Sequence, residues 1–249
     1  MAPLTTRAVL LRAYDYGETS RIFRFYTRDR GLLGIMAKGV RGRSGKGGSA
    51  LATFTTGDLT AYVKPNRDLH TMKDFAGVRA RGGLGGHMLR FGGASAVAEL
   101  VVAHTEQESN PDLFEALETA LDTLEGAGES LLPTACLSAL WQVVAALGFA
   151  PEVDHCVRCG RSLTDSDEMG RFDAGAGGVR CAGCGADAAG PRLGPGARDQ
   201  LIRLLEGRLD PPVDVPRRHL SLLSDFVAFH VASRPLKSLH FLGDILPTS

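Results

Sequence analysis

Four of the five cysteines fall into two matching pairs, Cys156-Val-Arg-Cys159 and Cys181-Ala-Gly-Cys184, each followed by a glycine (Gly160, Gly185). Two tight turns that each present two sulfurs meet the tetrahedral demand of a zinc ion bound by thiolates at about 2.3 Å. The 21 residues between the pairs slightly exceed the usual spacing for this arrangement. They form a polar stretch, GRSLTDSDEMGRFDAGAGGVR, that needs a metal to order it. Disulfides and redox thiols are the alternatives; a reducing cytosol disfavours the first, and duplication of the motif disfavours the second. Four sulfurs close the coordination sphere, so one structural Zn²⁺ per chain is expected on Cys156, Cys159, Cys181 and Cys184, with no catalysis assigned to it. The HxE and PCxxC pattern of a zinc deaminase is absent. Cys136, among apolar neighbours, reads as an inert buried thiol.

The second chemical signal is charge. Residues 14–46 carry Arg21, Arg24, Arg28, Arg30, Lys38, Arg41, Arg43 and Lys46 against only Asp15, Glu18 and Asp29. The stretch reads as strand, turn, strand and a glycine-rich loop, a surface suited to phosphates. Gly45-Lys46 is not a nucleotide-binding P-loop: Val40 stands where the first glycine belongs, and Gly47 follows the lysine where Ser or Thr is needed. A mobile clamp that orders on a nucleic-acid backbone is the better reading of that loop. Bases can stack on exposed rings beside such a surface; the candidate rings are Tyr14, Tyr16, Phe23, Phe25, Tyr26 and Tyr62, with Tyr14, Tyr16 and Tyr26 preferred over either Phe, since Ile22, Arg24 and Tyr26 take the outward side if Phe23 and Phe25 point inward.

The zero net charge conceals this polarity. Residues 1–81 hold 15 Lys/Arg against 6 Asp/Glu, whereas no Lys or Arg occurs between Arg90 and Arg158, where eleven acids do. Such segregation suggests a polyanion as partner for the amino-terminal part. No basic-then-apolar leader and no apolar run of about 18 residues is present, so the expected location is the cytoplasm, with no membrane partner and no small-molecule substrate.

The elements that would hold these groups follow from periodicity. Strands are expected over residues 4–14, 20–27, 32–38, 53–63 and 69–75, with Lys64-Pro65-Asn66-Arg67 as the turn between the last two. Five short strands in this arrangement fit a Greek-key barrel of the oligonucleotide-binding (OB) type. Helical spacing begins near Leu84. Asn110-Pro111 opens a helix with Leu113, Phe114, Leu117, Leu121 and Leu124 inward and Asp112, Glu115, Glu118, Asp122 and Glu125 outward. That acidic face is read as solvated, or as a docking face for a basic partner, lying away from the basic module. A third helix over residues 130–147 is apolar nearly all round and should be central. Helices after the cysteines, one of them capped by Asp214, should pack back on it. The expected class is multi-domain α+β: an OB-fold β-barrel (residues 1–80), an α-helical domain (81–150), an inserted four-cysteine zinc module (151–192) and carboxy-terminal helices on the helical domain (193–249).

The run YDYGE with Arg21, the segment FYTRDRGLL (residues 25–33), AKGVR (37–41) and the two late CxxCG motifs together resemble the RecO family of bacterial recombination mediators. The resemblance implies a non-enzymatic, nucleoid-associated DNA repair protein that binds single- and double-stranded DNA and anneals complementary strands. It implies RecR as partner, with single-strand-binding protein and RecA as further ones. It points to Lys38, Arg41 and Arg43, joined by Arg21, Arg24 and Lys46, as DNA contacts. Two other readings stay open: an RNA-binding OB/zinc protein, and a nuclease using the acidic helix to hold metal.

Overall fold

The computed structural model describes residues 3–40, 51–64, 67–105, 107–163, 168–231 and 234–248. Five strands close into a barrel: β1 (Leu4–Tyr16), β2 (Ser20–Thr27), β3 (Gly31–Ala37), β4 (Thr56–Tyr62) and β5 (Leu69–Arg79), in the order β1-β2-β3-β5-β4. Only the β3–β5 pair is parallel. Closure leaves no unpaired edge to recruit another chain. The period of two puts Ala8, Leu10, Phe23, Phe25, Ile35 and Leu59 inside, where the Phe25 and Phe75 rings meet at 5.0 Å. Two of the barrel's glycines show why that residue is needed. Gly31 starts β3 at φ +61°, and a Cβ on Gly34 would lie 2.5 Å from the Asp68 carbonyl across the parallel seam.

The opposite side of β1 and β2 is not left to water. Val9, Leu11 and Tyr26 join a second, larger apolar cluster built from the helices. These are α1 (Gly82–Gly85), α2 (Met88–His104), α3 (Pro111–Gly126), α4 (Leu132–Ala146), α5 (Pro195–Leu205), α6 (Pro216–His230) and α7 (Lys237–Ile245). The Asn110 side chain accepts a hydrogen bond from the Leu113 amide at 3.0 Å, and Pro111 occupies the first turn, where a missing N–H costs nothing. Helix α4 is buried on nearly every face and packs against α2, α3, α5 and α6. Gly148, at φ +92°, stops it. One expectation is corrected: Asp214 does not cap α6. The N-cap position is Val215, set by Pro216 in the first turn, and Asp214 instead accepts from Gln200 Nε2.

Between α4 and α5 a three-stranded sheet, β6 (Gly170–Asp173), β7 (Gly178–Arg180) and β8 (Arg192–Leu193), carries the cysteine pairs. Phe172 of β6 reaches into the helices, its ring 6.5 Å from Trp141 of α4 and 6.0 Å from Phe226 of α6. Among the described residues no helix is long and apolar enough to cross a membrane.

Candidate metal centre and nucleic-acid surface

Each cysteine pair sits on a tight turn closed by its glycine. The Gly160 amide donates to the Cys156 carbonyl at 2.8 Å with Gly160 at φ +71°, and the Gly185 amide donates to the Cys181 carbonyl at 2.8 Å. The turns are joined by the Cys181 amide, which donates to Cys156 Sγ at 3.3 Å. Cys159 and Cys181 place their sulfurs 3.9 Å apart, and all four sulfurs lie within 4.8 Å of one another. Burial alone would raise the Cys156 thiol, but amide donors at Cys181, Cys159 and Arg158 outweigh it and bring it down to about 6. Cys184 is pushed up to about 12, by the sulfurs of Cys181 and Cys159 first and by burial after them. Cys156 is thus the sulfur its amide donors favour as a thiolate, while neighbouring sulfurs hold the proton on Cys184, which a cation among them would displace. The cluster could hold a metal ion. Cys136 lies apart from it, its thiol driven up to about 12 by burial and donating weakly to the Leu89 carbonyl, as an inert thiol should.

The basic surface can be built from strand register, because directly opposed residues project to the same side of a sheet. Tyr14 lies opposite Ile22, Ile22 opposite Met36, and Met36 opposite Thr71; Arg24 lies opposite Gly34, and Gly34 opposite Leu69. These two rows cross β1, β2, β3 and β5 on the outward side, with Tyr16 beyond Tyr14 and Lys38 two residues past Met36. Tyr14 and Tyr16 are 46% and 54% exposed. Lys38, Lys64 and Arg67 are exposed, and Arg24 is half-buried over Gly34, where a Cβ would come within 3.1 Å of Nη1. Among the described residues, no ion pair is found at Arg24, Lys38, Lys64 or Arg67.

The remaining candidates separate. Arg21 lies opposite Ala37, a barrel-interior position, and so projects to the other side of the hairpin, where Nε holds Asp15 at 2.9 Å. Tyr26 is corrected as a base-stacking residue: it is 0% exposed. It does point out of the barrel, but Phe114 of α3 covers it in a stacked arrangement at 6.4 Å, and burial pushes its phenol up to about 12. Arg41, Arg43 and Lys46 lie outside the described residues. Lys64 and Arg67 escaped the sequence reading although both stand in the turn between β4 and β5, a loop that the barrel brings beside Lys38.

The acidic helix is also corrected. Its outward carboxylates are not remote from the basic module; several hold it. Arg28 pairs with Glu115 at 3.2 Å, and Arg79 with Asp122 at 2.8 Å. The Arg81 side chain is wholly buried: Nε donates to Asp122 at 2.6 Å, Nη1 donates to the Phe54 carbonyl and Thr56 Oγ1, both at 2.9 Å, and Nη2 lies 3.5 Å from Glu118. Phe54 is held at φ +70°, a left-handed conformation that costs about 1–3 kcal/mol in a non-glycine residue and persists only under such constraint.

Comparison with known proteins agrees with this layout along the chain. Residues 1–81 match the family model described as Recombination protein O N terminal, and residues 86–240 match Recombination protein O C terminal. The DNA repair protein RecO of Anaeromyxobacter sp. (strain K) is 32% identical over 249 residues, covering 96% of this chain and 95% of the relative. Its counterpart in Desulfatibacillum aliphaticivorans is 31% identical over 265 residues, covering 98% of each, and that of Rubrobacter xylanophilus is 34% identical over 194 residues, covering 76% and 74%.

Proposed function

The chain belongs to the RecO family of DNA repair proteins, and from that premise we propose that it is a non-enzymatic recombination mediator that grips DNA on the β2–β3–β5 face of its barrel. The observation that carries this reading is the gathering of Arg24, Lys38, Lys64 and Arg67 on one side, none of them in an ion pair among the described residues and with Asp68 as the one carboxylate lining the same concavity, with Tyr14 and Tyr16 exposed beside them. Guanidinium and ammonium groups neutralise phosphates and release counterions, which gives sequence-independent, salt-sensitive affinity for single and double strands. Neutralising two strands together would lower their mutual repulsion, the physical basis for annealing. Arg41, Arg43 and Lys46, on the loop after β3, would extend the same surface, and Arg21 would reach it by exchanging Asp15 for a phosphate. The acidic helix offers a poor nuclease site, since Glu115, Glu118 and Asp122 are committed to arginines.

Cooperation with RecR and loading of RecA onto strands coated by single-strand-binding protein are carried over from the family resemblance. We take the metal to be one structural Zn²⁺: sulfurs around a tetrahedral ion with bonds of about 2.3 Å stand about 3.8 Å apart, close to the 3.9 Å between Cys159 and Cys181. When bound it would cross-link the two turns; Cys156, Cys159, Cys181 and Cys184 would hold it. The division into residues 1–80, 81–150, 151–192 and 193–249 is proposed as the functional organisation.

Titration of a labelled single strand at several salt concentrations tests the reading. The triple variant Arg24→Glu/Lys38→Glu/Arg67→Glu should flatten the slope of log affinity against log salt by about 2, since each single-strand phosphate contact contributes about 0.7. An unchanged slope would remove this face from the DNA surface.

A further inference from the structure

At the end of the barrel where β3 leaves, β4 finishes and β5 begins, the surface sinks into a concavity of about 520 Å³. Its walls are Met36, Tyr62, Leu69 and Thr71, its rim carries Lys38, Lys64 and Arg67 against one carboxylate, Asp68, and His70 lies among the lining groups. Tyr62 and Leu69 are 38% and 37% exposed, so two apolar surfaces face water here without a partner. His70 is 98% buried by the same measure, at 2% exposure. Its Nδ1 accepts from the Lys64 amide at 3.4 Å, which leaves the hydrogen on Nε2, and Nε2 has no partner. Burial holds the ring below its ordinary value against the opposing pull of Asp68, so it is a neutral donor near pH 7. His70 lies opposite Ile35 of the barrel interior, so its ring projects inward and not to the outer face that carries Tyr62 and Leu69.

Two features thus coincide: an aromatic wall and a set of cations. We propose that this concavity is a slot for one unpaired nucleotide, its base against Tyr62 and its phosphate between Lys38 and Arg67. The proposal rests on the reading of the barrel face as a DNA surface and adds strand selectivity to it. The slot adjoins the Arg24 row through Gly34 and Leu69, so a strand lying along that row passes its mouth. A base stacked and paired within a duplex cannot enter a recess; a base in a single strand can turn into it. Contacts on the flat rows would then serve both kinds of DNA, and the slot would favour the single strand.

Anisotropy titrations of a short labelled single strand and of a duplex of equal length, with the full-length protein, test this. Tyr62→Ala should weaken single-strand binding about tenfold while Tyr62→Phe, which keeps the ring, stays within about twofold. Duplex affinity should be unmoved by both. Equal loss for single strand and duplex, or no loss in Tyr62→Ala, overturns the slot and leaves the wider DNA reading standing. A wild-type protein that binds neither DNA at low salt overturns both.

Discussion

Arg81 and Arg24 stand in the same module and swell the same count of positive charge, yet their situations are opposite. Arg81 is fully buried with Asp122 and Glu118 of α3 around it, whereas Arg24 lies half-buried on the outer sheet with no ion-pair partner among the described residues. Arg28 and Arg79 resemble the first; Lys38, Lys64 and Arg67 resemble the second. The charge excess of the amino-terminal part is therefore two populations. One is consumed in fastening the barrel to the acidic helix, so the segregation of charge along the chain partly cancels in space. Only the other is available to a polyanion.

That division predicts which losses cost structure and which cost binding. The largest structural effect should come from a third region, remote from both. A strong chelator of divalent metal should release one equivalent per chain and unseat the cysteine-bearing sheet, since structural zinc in finger peptides supplies about 10–16 kcal/mol of apparent folding free energy. Trp141 is the single tryptophan and sits against Phe172 of that sheet, so its emission should shift to the red as Phe172 withdraws. Single-strand affinity on the barrel should persist. If it falls with the metal, the free cations of the barrel are not the whole DNA surface, and the two-population picture breaks.

Next in size is Arg81→Met. Removing one partner of a buried ion pair costs about 3–5 kcal/mol because the other charge is stranded. Asp122 keeps Arg79, so the lower end of that range is expected, with Glu118 left only the Thr56 hydroxyl. Arg24→Met should change stability by less than about 0.5 kcal/mol, as surface substitutions do, yet weaken DNA binding. Denaturant unfolding and DNA titration of both variants give a two-by-two comparison; a destabilised Arg24 variant, or an Arg81 variant that folds normally, would erase the distinction.

Why the two populations were hard to separate in the sequence is visible at Tyr26 and Glu118. The period of two put Tyr26 outside the barrel correctly, because Phe23 and Phe25 fill the interior. What covers it, Phe114, comes from a helix more than eighty residues later, and strand periodicity holds no information about that. The helical period likewise put Glu115, Glu118 and Asp122 on a polar face of α3, but a face turned to water and a face turned to arginines have the same pattern. The slot draws on three strands, and its closure depends on the parallel β3–β5 pair, whose partners stand 35 residues apart in the chain. The cysteine quartet was legible in full because ligand chemistry fixes spacing within each turn. The five strands were legible because each is punctuated by its own turn residues.

His219 extends the contrast to a buried group with no counter-charge in contact. His219 is 4% exposed; its Nε2 meets Gln200 Oε1 at 3.0 Å, while Nδ1 has no partner. Burial, then Arg203, push it down to about 4 against the pull of Asp214. Its folded value thus lies below its unfolded value of about 6.5, so between them the unfolded chain binds the additional proton. The stability associated with the neutral ring is present above pH 6.5, declines as pH falls through this window and is gone below about pH 4. At about 1.4 kcal/mol per unit, the loss is on the order of 3 kcal/mol. His219→Gln, which can still donate to Gln200, should remove that dependence, so wild type and variant converge at pH 5 or below relative to their difference at pH 7.5. Parallel curves for wild type and His219→Gln would mean that the histidine has access to water or to a carboxylate when it charges, and the contrast between matched and unmatched burial would then rest on Arg81 alone.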